Sequence, residues 1–242
     1  MKIARHSPSA LNLFCASPSM FVLERILGHK QPVGSPAHRG TAVEAGVTYG
    51  LQRPSTTLQD CAAVAHLKYL EVSALSGDPR REDYAKTITV MVERALEELR
   101  PYGIPDDTQG FVEWHPDDLK YPIVGYYDFA WYERGLIIDL KTTDRMPKEI
   151  KPAHARQVAF YCSSNNMAGH LTYITPKLRT TYRLENIDEH RNALHQIARR
   201  CEAFLELSDD PEFFVSITAP DTESFYWQPP AARAQAFQVW RI

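Results

Sequence analysis

The stretch "GYYDFAWYERGLIIDLKTTD", residues 125 to 144, contains two apolar, aromatic-rich runs that meet at Glu133-Arg134-Gly135. Each run carries a carboxylate, Asp128 and Asp139, where a strand should be apolar. Runs of this length, separated by a turn, predict a β-hairpin. In the second run the period of two puts Leu136, Ile138 and Leu140 on one face and Ile137, Asp139 and Lys141 on the other. One face is expected to be core and the other to carry charge. If Glu133 and Arg134 are the two central turn residues, Asp128 falls opposite Asp139. Like charges directly opposed across a sheet are destabilising. A bulge at Gly135 would shift the register by one, so the pairing is conditional on the turn.

A cation between the carboxylates would resolve the repulsion. Hard divalent metals such as Mg²⁺ take oxygen ligands, typically one or two carboxylates plus waters and substrate phosphate oxygens. Lys141, two residues beyond Asp139, projects into the same space, where an ammonium can stabilise negative charge developing on a phosphoryl group. The competing reading is a half-exposed sheet with an ordinary surface Asp/Lys pair.

The composition sets the frame for that chemistry. The chain has 242 residues, 44% hydrophobic and 24% charged, enough for a substantial core. Its formal net charge of -3 excludes the overall basic excess of a non-specific nucleic-acid coat protein, so any phosphate-binding surface must be local. Cys15, Cys61, Cys162 and Cys201 lie far apart with no C-x-x-C pair, which reads as free thiols in a reducing compartment. The opening "MKIARHSPSALNLFCAS" faintly mimics a lipoprotein signal, but Ser7-Pro8-Ser9 and Asn12 break its apolar run. A cytoplasmic location is expected, with no membrane partner, because no window approaches the roughly 18 apolar residues of a span.

Along the chain, Ser7-Pro8 and Ser17-Pro18 read as caps with Pro at the first helical position, so two short helices open the protein and Gly28 closes the second. Residues 29 to 40 read as a loop, "TAVEAGVTYGLQ" as helix, and 57 to 75 and 82 to 99 as longer amphipathic helices. From Gly110 the character changes to short strands: "GFVEW", the hairpin, "HLTYITP" and "RTTYRLENI". A helix at 152 to 166 separates the hairpin from the later strands, and a last helix at 188 to 207 precedes an irregular tail. The order predicts an α+β domain with a mixed sheet: a helical N-terminal region, 1–109, contributing Glu44, and a core, 110–242, within one compact whole.

Among other candidates, the nine histidines form no H-x-x-x-H or H-E-x-x-H spacing, which argues against structural zinc. His154 is one helical turn before Gln157 and reads first as a solvated surface residue. Lys30 and Arg39, on or beside loops, are candidate phosphate contacts set against ordinary surface charge. Trp114, Tyr127 and Trp131 read as core or rim before they read as base-stacking platforms.

Four pieces in order carry a resemblance: Gly40 to Glu44, Gly125-Tyr126-Tyr127-Asp128, Asp139-Leu140-Lys141-Thr142, and Gln157 to Tyr161, the last an i, i+4 pair on one helix face. Together with "SPSALNLFCASPSMFVLERILG" they resemble the RecB-like branch of the PD-(D/E)XK nuclease superfamily over about residues 7 to 165. The resemblance implies a restriction-endonuclease-like α/β sandwich: a mixed central sheet flanked by helices. It implies a Mg²⁺- or Mn²⁺-dependent deoxyribonuclease, similar in chemistry to lambda exonuclease, acting on DNA in recombination, repair or replication. A single-strand-annealing or other recombination protein is the candidate further partner. Asp128, Asp139, the Leu140 carbonyl and Glu44 would be metal ligands, and Lys141 the catalytic lysine. Gln157 and Tyr161 would line the substrate side, with Thr142, Arg39 and Lys30 near phosphates. RecB-like members usually carry His where Glu44 stands, and a carboxylate there favours a second metal ion. The iron-sulfur members of this branch hold their cluster with four cysteines, three of them clustered near the C-terminus; only Cys201 lies in that region, so no iron-sulfur cluster is expected. The alternative is a nuclease-fold protein without turnover that binds nucleic acid or assembles with partners.

Overall fold

The computed structural model describes residues 3–242. Ser7 opens α1 (Pro8–Ala16) by accepting the Ala10 N–H, and Pro18 opens α2 (Pro18–Phe21), as the two Ser-Pro pairs predict. A π-helical turn over Val22–Ile26 follows, and Gly28 leaves it with φ of 77°, a backbone state that suits glycine. Then come α3 (Ser35–Gln52), α4 (Leu58–Ser73), α5 (Arg81–Ala85) and α6 (Ile88–Leu99). The strands are β1 (Asp107–Trp114), β2 (Ile123–Trp131), β3 (Leu136–Thr142), β4 (Ala168–Ile174) and β5 (Arg179–Arg183), with α7 (Pro152–Asn165) between β3 and β4. The chain closes with α8 (Ile187–Leu205), α9 (Pro211–Ile217) and α10 (Pro230–Trp240).

Three expectations are corrected. The loop expected over 29 to 40 is shorter, because α3 already starts at Ser35. Its Ser35-Pro36 start repeats the signal that opens α1 and α2, and the Asp78 carboxylate accepts the Ser35 N–H at 3.1 Å. The helix expected over 82 to 99 breaks at Lys86-Thr87, and the Thr87 hydroxyl donates to the Tyr84 carbonyl. The tail expected to be irregular contains α9 and α10, each with Pro in its first turn, and the Asp210 carboxylate caps α9 by accepting the Glu212 N–H.

The sheet order is β1-β2-β3-β4-β5. β2 and β3 pair antiparallel, β3 and β4 parallel through the α7 crossover, and β4 and β5 antiparallel, giving the expected mixed α+β sheet. Contacts group the chain into two compact units: one of the segments up to Pro32, Glu113–Gly125 and Asp188–Ile242, the other of Val33–Val112 and Tyr126–Ile187.

In the unit without the termini, Val43, Val47 and Leu51 of α3, Ala65 and Tyr69 of α4, and Met91, Val92 and Leu96 of α6 pack with Phe129, Trp131, Ile138 and Leu140 of the sheet. Ile138 and Leu140 lie on the face the alternation assigned to the core. In the other unit, Trp227, Ala232 and Ala236 of the C-terminal segment close over Met20 and Leu23. There the Glu202 carboxylate is buried, accepting the backbone N–H groups of Lys120 and Tyr121 and lying 3.0 Å from His6 Nε2. Among the described residues no helix is long and apolar enough to cross a membrane.

Helices α3 and α4 approach closely because α3 has glycine where they meet. A Cβ on Gly46 would lie 2.6 Å from the Cys61 carbonyl oxygen and 2.8 Å from Ala65 Cβ. Gly46→Ala gains about 1 kcal/mol of helix propensity but forces two backbones apart in a packed core, at a cost of about 1–3 kcal/mol. The melting temperature should therefore fall. A variant melting above wild type would show that the contact can relax without cost.

Candidate active site

The turn at the hairpin closes with the Gly135 N–H donating to the Tyr132 carbonyl at 3.0 Å, so Glu133 and Arg134 are its central residues. The register follows: Phe129 pairs with Ile138, Ala130 with Ile137 and Trp131 with Leu136. One step further, Asp128 stands across from Asp139, the first of the two registers open from sequence. At that step the Leu140 N–H donates to Asp128 Oδ2 at 2.7 Å, so a carboxylate stands where a strand carbonyl would serve.

The charged face of β3 is not open to water. Every residue from Leu136 to Leu140 is buried, because α7 packs on β3 and covers the side opposite the helical core. Asp139 is 0% exposed. This removes the half-exposed surface pair as an account of Asp139 and Lys141. Lys141 Nζ lies 2.7 Å from Asp139 Oδ2. The ammonium thus meets Oδ2, while Asp139 Oδ1 has no hydrogen-bond partner among the described residues. A buried carboxylate left so is costly unless something further meets it.

The electrostatics follow from burial and like charge. Burial first, then Asp139 and Glu44, hold the Asp128 carboxyl well above its usual range. Burial and Asp139 likewise raise Glu44. Burial works against the Lys141 ammonium, but Asp139 and then Asp128 outweigh it, and its pKa is raised. The carboxylates of the group outnumber its ammonium.

Glu44 reaches the group from α3, one turn after Gly40. A Cβ on Gly40 would meet Thr142 Oγ1 at 3.2 Å, so the glycine lets α3 run close to the end of β3. From β1, Gln109 Nε2 donates to Glu44 Oε1 and, at 3.2 Å, to Asp128 Oδ1. From α7, Gln157 Nε2 donates to the Tyr161 hydroxyl at 2.8 Å. Tyr161 is buried, with its ring edge-on to Tyr127, and burial and Asp139 keep its hydroxyl protonated above the usual range. The Tyr127 hydroxyl donates to Asp107 Oδ2 at 2.7 Å, and Trp131 is core. The fold thus gathers Glu44, Asp128, Asp139, Lys141, Gln157 and Tyr161, with Leu140 and Thr142 beside them.

Other sequence candidates land elsewhere. Arg39 sits inside α3 and is 2% exposed, not on a loop. Its Nη2 donates to Asp144 Oδ1 at 2.8 Å and its guanidinium lies over the Tyr84 ring at 4.7 Å, so it is engaged within the fold. Lys30 is exposed in the loop before α3, in the other unit. Trp114 is half-buried with Arg191 over its ring at 4.2 Å. His154 is half-buried rather than a solvated surface residue; its Nδ1 lies 2.8 Å from the Tyr173 hydroxyl, and burial, then Lys141, push its pKa down to about 4. Gln109, which links two of the carboxylates, carries no motif that would have marked it. Asp144 follows "DLKTT" directly, but its pairing with Arg39, 105 positions away, carries no sequence signal.

Three carboxylates, one ammonium and a set of neutral donors in a buried setting suit a hard cation. Among the described residues no three His, Cys, Asp or Glu side chains form a ready ligand set. The residues still fit a divalent ion, which takes one or two carboxylates with waters and carbonyls; the unpartnered Oδ1 of the buried Asp139 carboxylate is what such an ion would meet.

No curated protein matches the chain. A solved structure titled "Crystal structure of SSO0001" is 17% identical over 81% of this chain and 89% of that one, with a TM-score of 0.38, a likeness too slight to support an argument. The family model of the PD-(D/E)XK nuclease superfamily matches residues 5–215, and the facing aspartates with Lys141 fall inside that span. With its mixed sheet between helices, a restriction-endonuclease-like α+β fold, the chain belongs to the PD-(D/E)XK nuclease superfamily.

Proposed function

We propose that this chain is a Mg²⁺- or Mn²⁺-dependent DNA nuclease of the RecB-like branch, acting as an exonuclease in recombination, repair or replication. The observation that carries the reading is the buried Asp139 carboxylate, its Oδ1 without a hydrogen-bond partner among the described residues and its Oδ2 against Lys141, across from Asp128. The RecB-like assignment is supported by the order of Gly40 to Glu44, Asp128, Asp139-Leu140-Lys141 and Gln157 to Tyr161 along the chain.

Asp128, Asp139 and the Leu140 carbonyl would hold the first ion, and Glu44 would favour a second. A divalent ion so held supplies a Lewis acid for the phosphoryl oxygens and acidifies a bound water. Lys141, its pKa raised by Asp139 and Asp128, stays charged at neutral pH. Its ammonium therefore meets negative charge growing on the scissile phosphate and does not act as a general base. Tyr161 stays neutral and presents a hydroxyl fixed by Gln157, which suits holding a substrate oxygen in place.

Incubating end-labelled linear and circular DNA with the protein and Mg²⁺ or Mn²⁺ tests the whole reading. Loss of label from linear but not circular DNA is expected, and Asp139→Asn should abolish it while its metal-free melting temperature stays level or rises. Cleavage of linear DNA at the wild-type rate by Asp139→Asn would remove the site assignment.

The lysine separates from the carboxylates by affinity. Lys141→Ala should lower the single-turnover rate by roughly a hundredfold or more, as losing one preorganised charge does, with Mn²⁺ affinity unchanged or tighter. Much weaker Mn²⁺ binding, or full-rate cleavage, would contradict that role.

Proton linkage checks the carboxylate repulsion without metal. The folded Asp128 pKa lies above its unfolded value, so the stabilisation from its proton is complete below the unfolded value of 3.8 and is lost as pH rises through the folded one. Asp128→Asn keeps a neutral side chain throughout. In chelator, its melting temperature should exceed wild type at about pH 8 and converge with it near about pH 4. Curves that stay parallel across that range would show that no proton is taken up there.

A further inference from the structure

Gln109 places an uncharged amide where two carboxylates converge. Its Nε2 is the donor to both Glu44 Oε1 and Asp128 Oδ1, and an amide nitrogen has two N–H groups with which to serve both. The backbone there is unusual, with Gln109 at φ of 56°, a left-handed state that a non-glycine residue keeps only when its surroundings fix it. The neighbouring residues do so. Asp107, two residues earlier, accepts the Tyr127 and Tyr132 hydroxyls, and a Cβ on Gly110, the next residue, would lie 2.0 Å from the Tyr127 ring. The strand is pinned on both sides of Gln109, and the pinning aims its side chain at the carboxylates.

The bridge satisfies acceptors without supplying charge. Glu44 and Asp128 are joined, yet the carboxylates of the group still outnumber its one ammonium, and Asp139 Oδ1 has no hydrogen-bond partner among the described residues. A cation held by Asp128 Oδ1 and Glu44 Oε1 together would take the place that the Gln109 amide nitrogen occupies between those two oxygens, so it would have to displace the amide. Unlike the three carboxylates and Lys141, Gln109 carries no charge, and it is exposed while the carboxylates are not.

We propose that Gln109 sets the affinity of the cation site: its amide ties Glu44 to Asp128 in the metal-free chain and competes with the ion for both. This deepens the proposed function and rests on its divalent-cation reading. The competition sets how strongly an ion must bind before Glu44 is recruited. Binding that needs Glu44 is weakened by the strength of the amide bridge, while binding by Asp128 and Asp139 is weakened by only one of its two bonds.

The test is Mn²⁺ titration by calorimetry on the full chain, beside melting in chelator, for wild type and Gln109→Ala. The variant loses two hydrogen bonds to charged groups, so it should melt lower without metal and bind Mn²⁺ roughly tenfold tighter. Gln109→Asn, which keeps an amide one methylene shorter in a backbone state that Asn tolerates, should bind with intermediate affinity, and it carries the test if the alanine variant does not fold. A purely structural glutamine would give the lower melting temperature but not tighter Mn²⁺ binding. Affinity that is unchanged or weaker in Gln109→Ala or Gln109→Asn overturns this inference alone, whereas absence of Mn²⁺ binding by wild type overturns the proposed function together with it.

Discussion

Asp128 and Asp139 hold like charge at facing positions of the β2–β3 hairpin, and their repulsion decides what each neighbouring group has to be. The Leu140 N–H is turned onto Asp128, Lys141 lies against Asp139, and the Gln109 amide spans from Asp128 to Glu44. Each of these removes part of the cost of burying carboxylates. What is left over shows as Asp128 and Glu44 carboxyls held above their usual range, by burial first and then by like charge.

The burial that makes the pair expensive comes from both sides of one strand. Ile138 packs with α3, α4 and α6 on one face of β3, while α7 covers Ile137 and Asp139 on the other. A strand paired in parallel to its neighbour and roofed by a crossover helix has no wet face. The charges therefore cannot relax into solvent, and small shifts of α3 would be felt at Glu44. Gly40 and Gly46 let α3 lie close to β3 and α4, so the seating of that helix and the position of its carboxylate are one problem.

Much of this was legible in the sequence because it depends on short-range pattern. The turn residues Glu133 and Arg134 set the hairpin register, and that register alone brings Asp128 and Asp139 together. Proline-capped helices α1, α2 and α7 follow from local backbone preference in the same way. What was not legible depends on partners distant in the chain. Arg39 reads as a loop cation until Asp144 and the Tyr84 ring are brought to it, and α3 reads as shorter until Asp78 is seen to cap its start. Gln109 could not be found at all from spacing, because its role comes from a strand pinned through Tyr127 and Gly110 and from an amide that reaches residues 65 and 19 positions away.

The neutral members of the group matter for the same electrostatic reason as the charged ones. Burial and the Lys141 charge keep His154 uncharged, its pKa at about 4, so it adds no positive charge near neutrality. Tyr161 keeps its proton, the Gln157 and Gln109 amides do not titrate, and among the described members of the group Lys141 is left to face the carboxylates as a cation at physiological pH. A second lysine or a protonated histidine here would have settled the charge within the chain and left little for a metal to do. With neutral donors instead, the carboxylates are oriented but remain in electrostatic deficit, and on the function proposed above that deficit is what a divalent ion, arriving with phosphate, would fill.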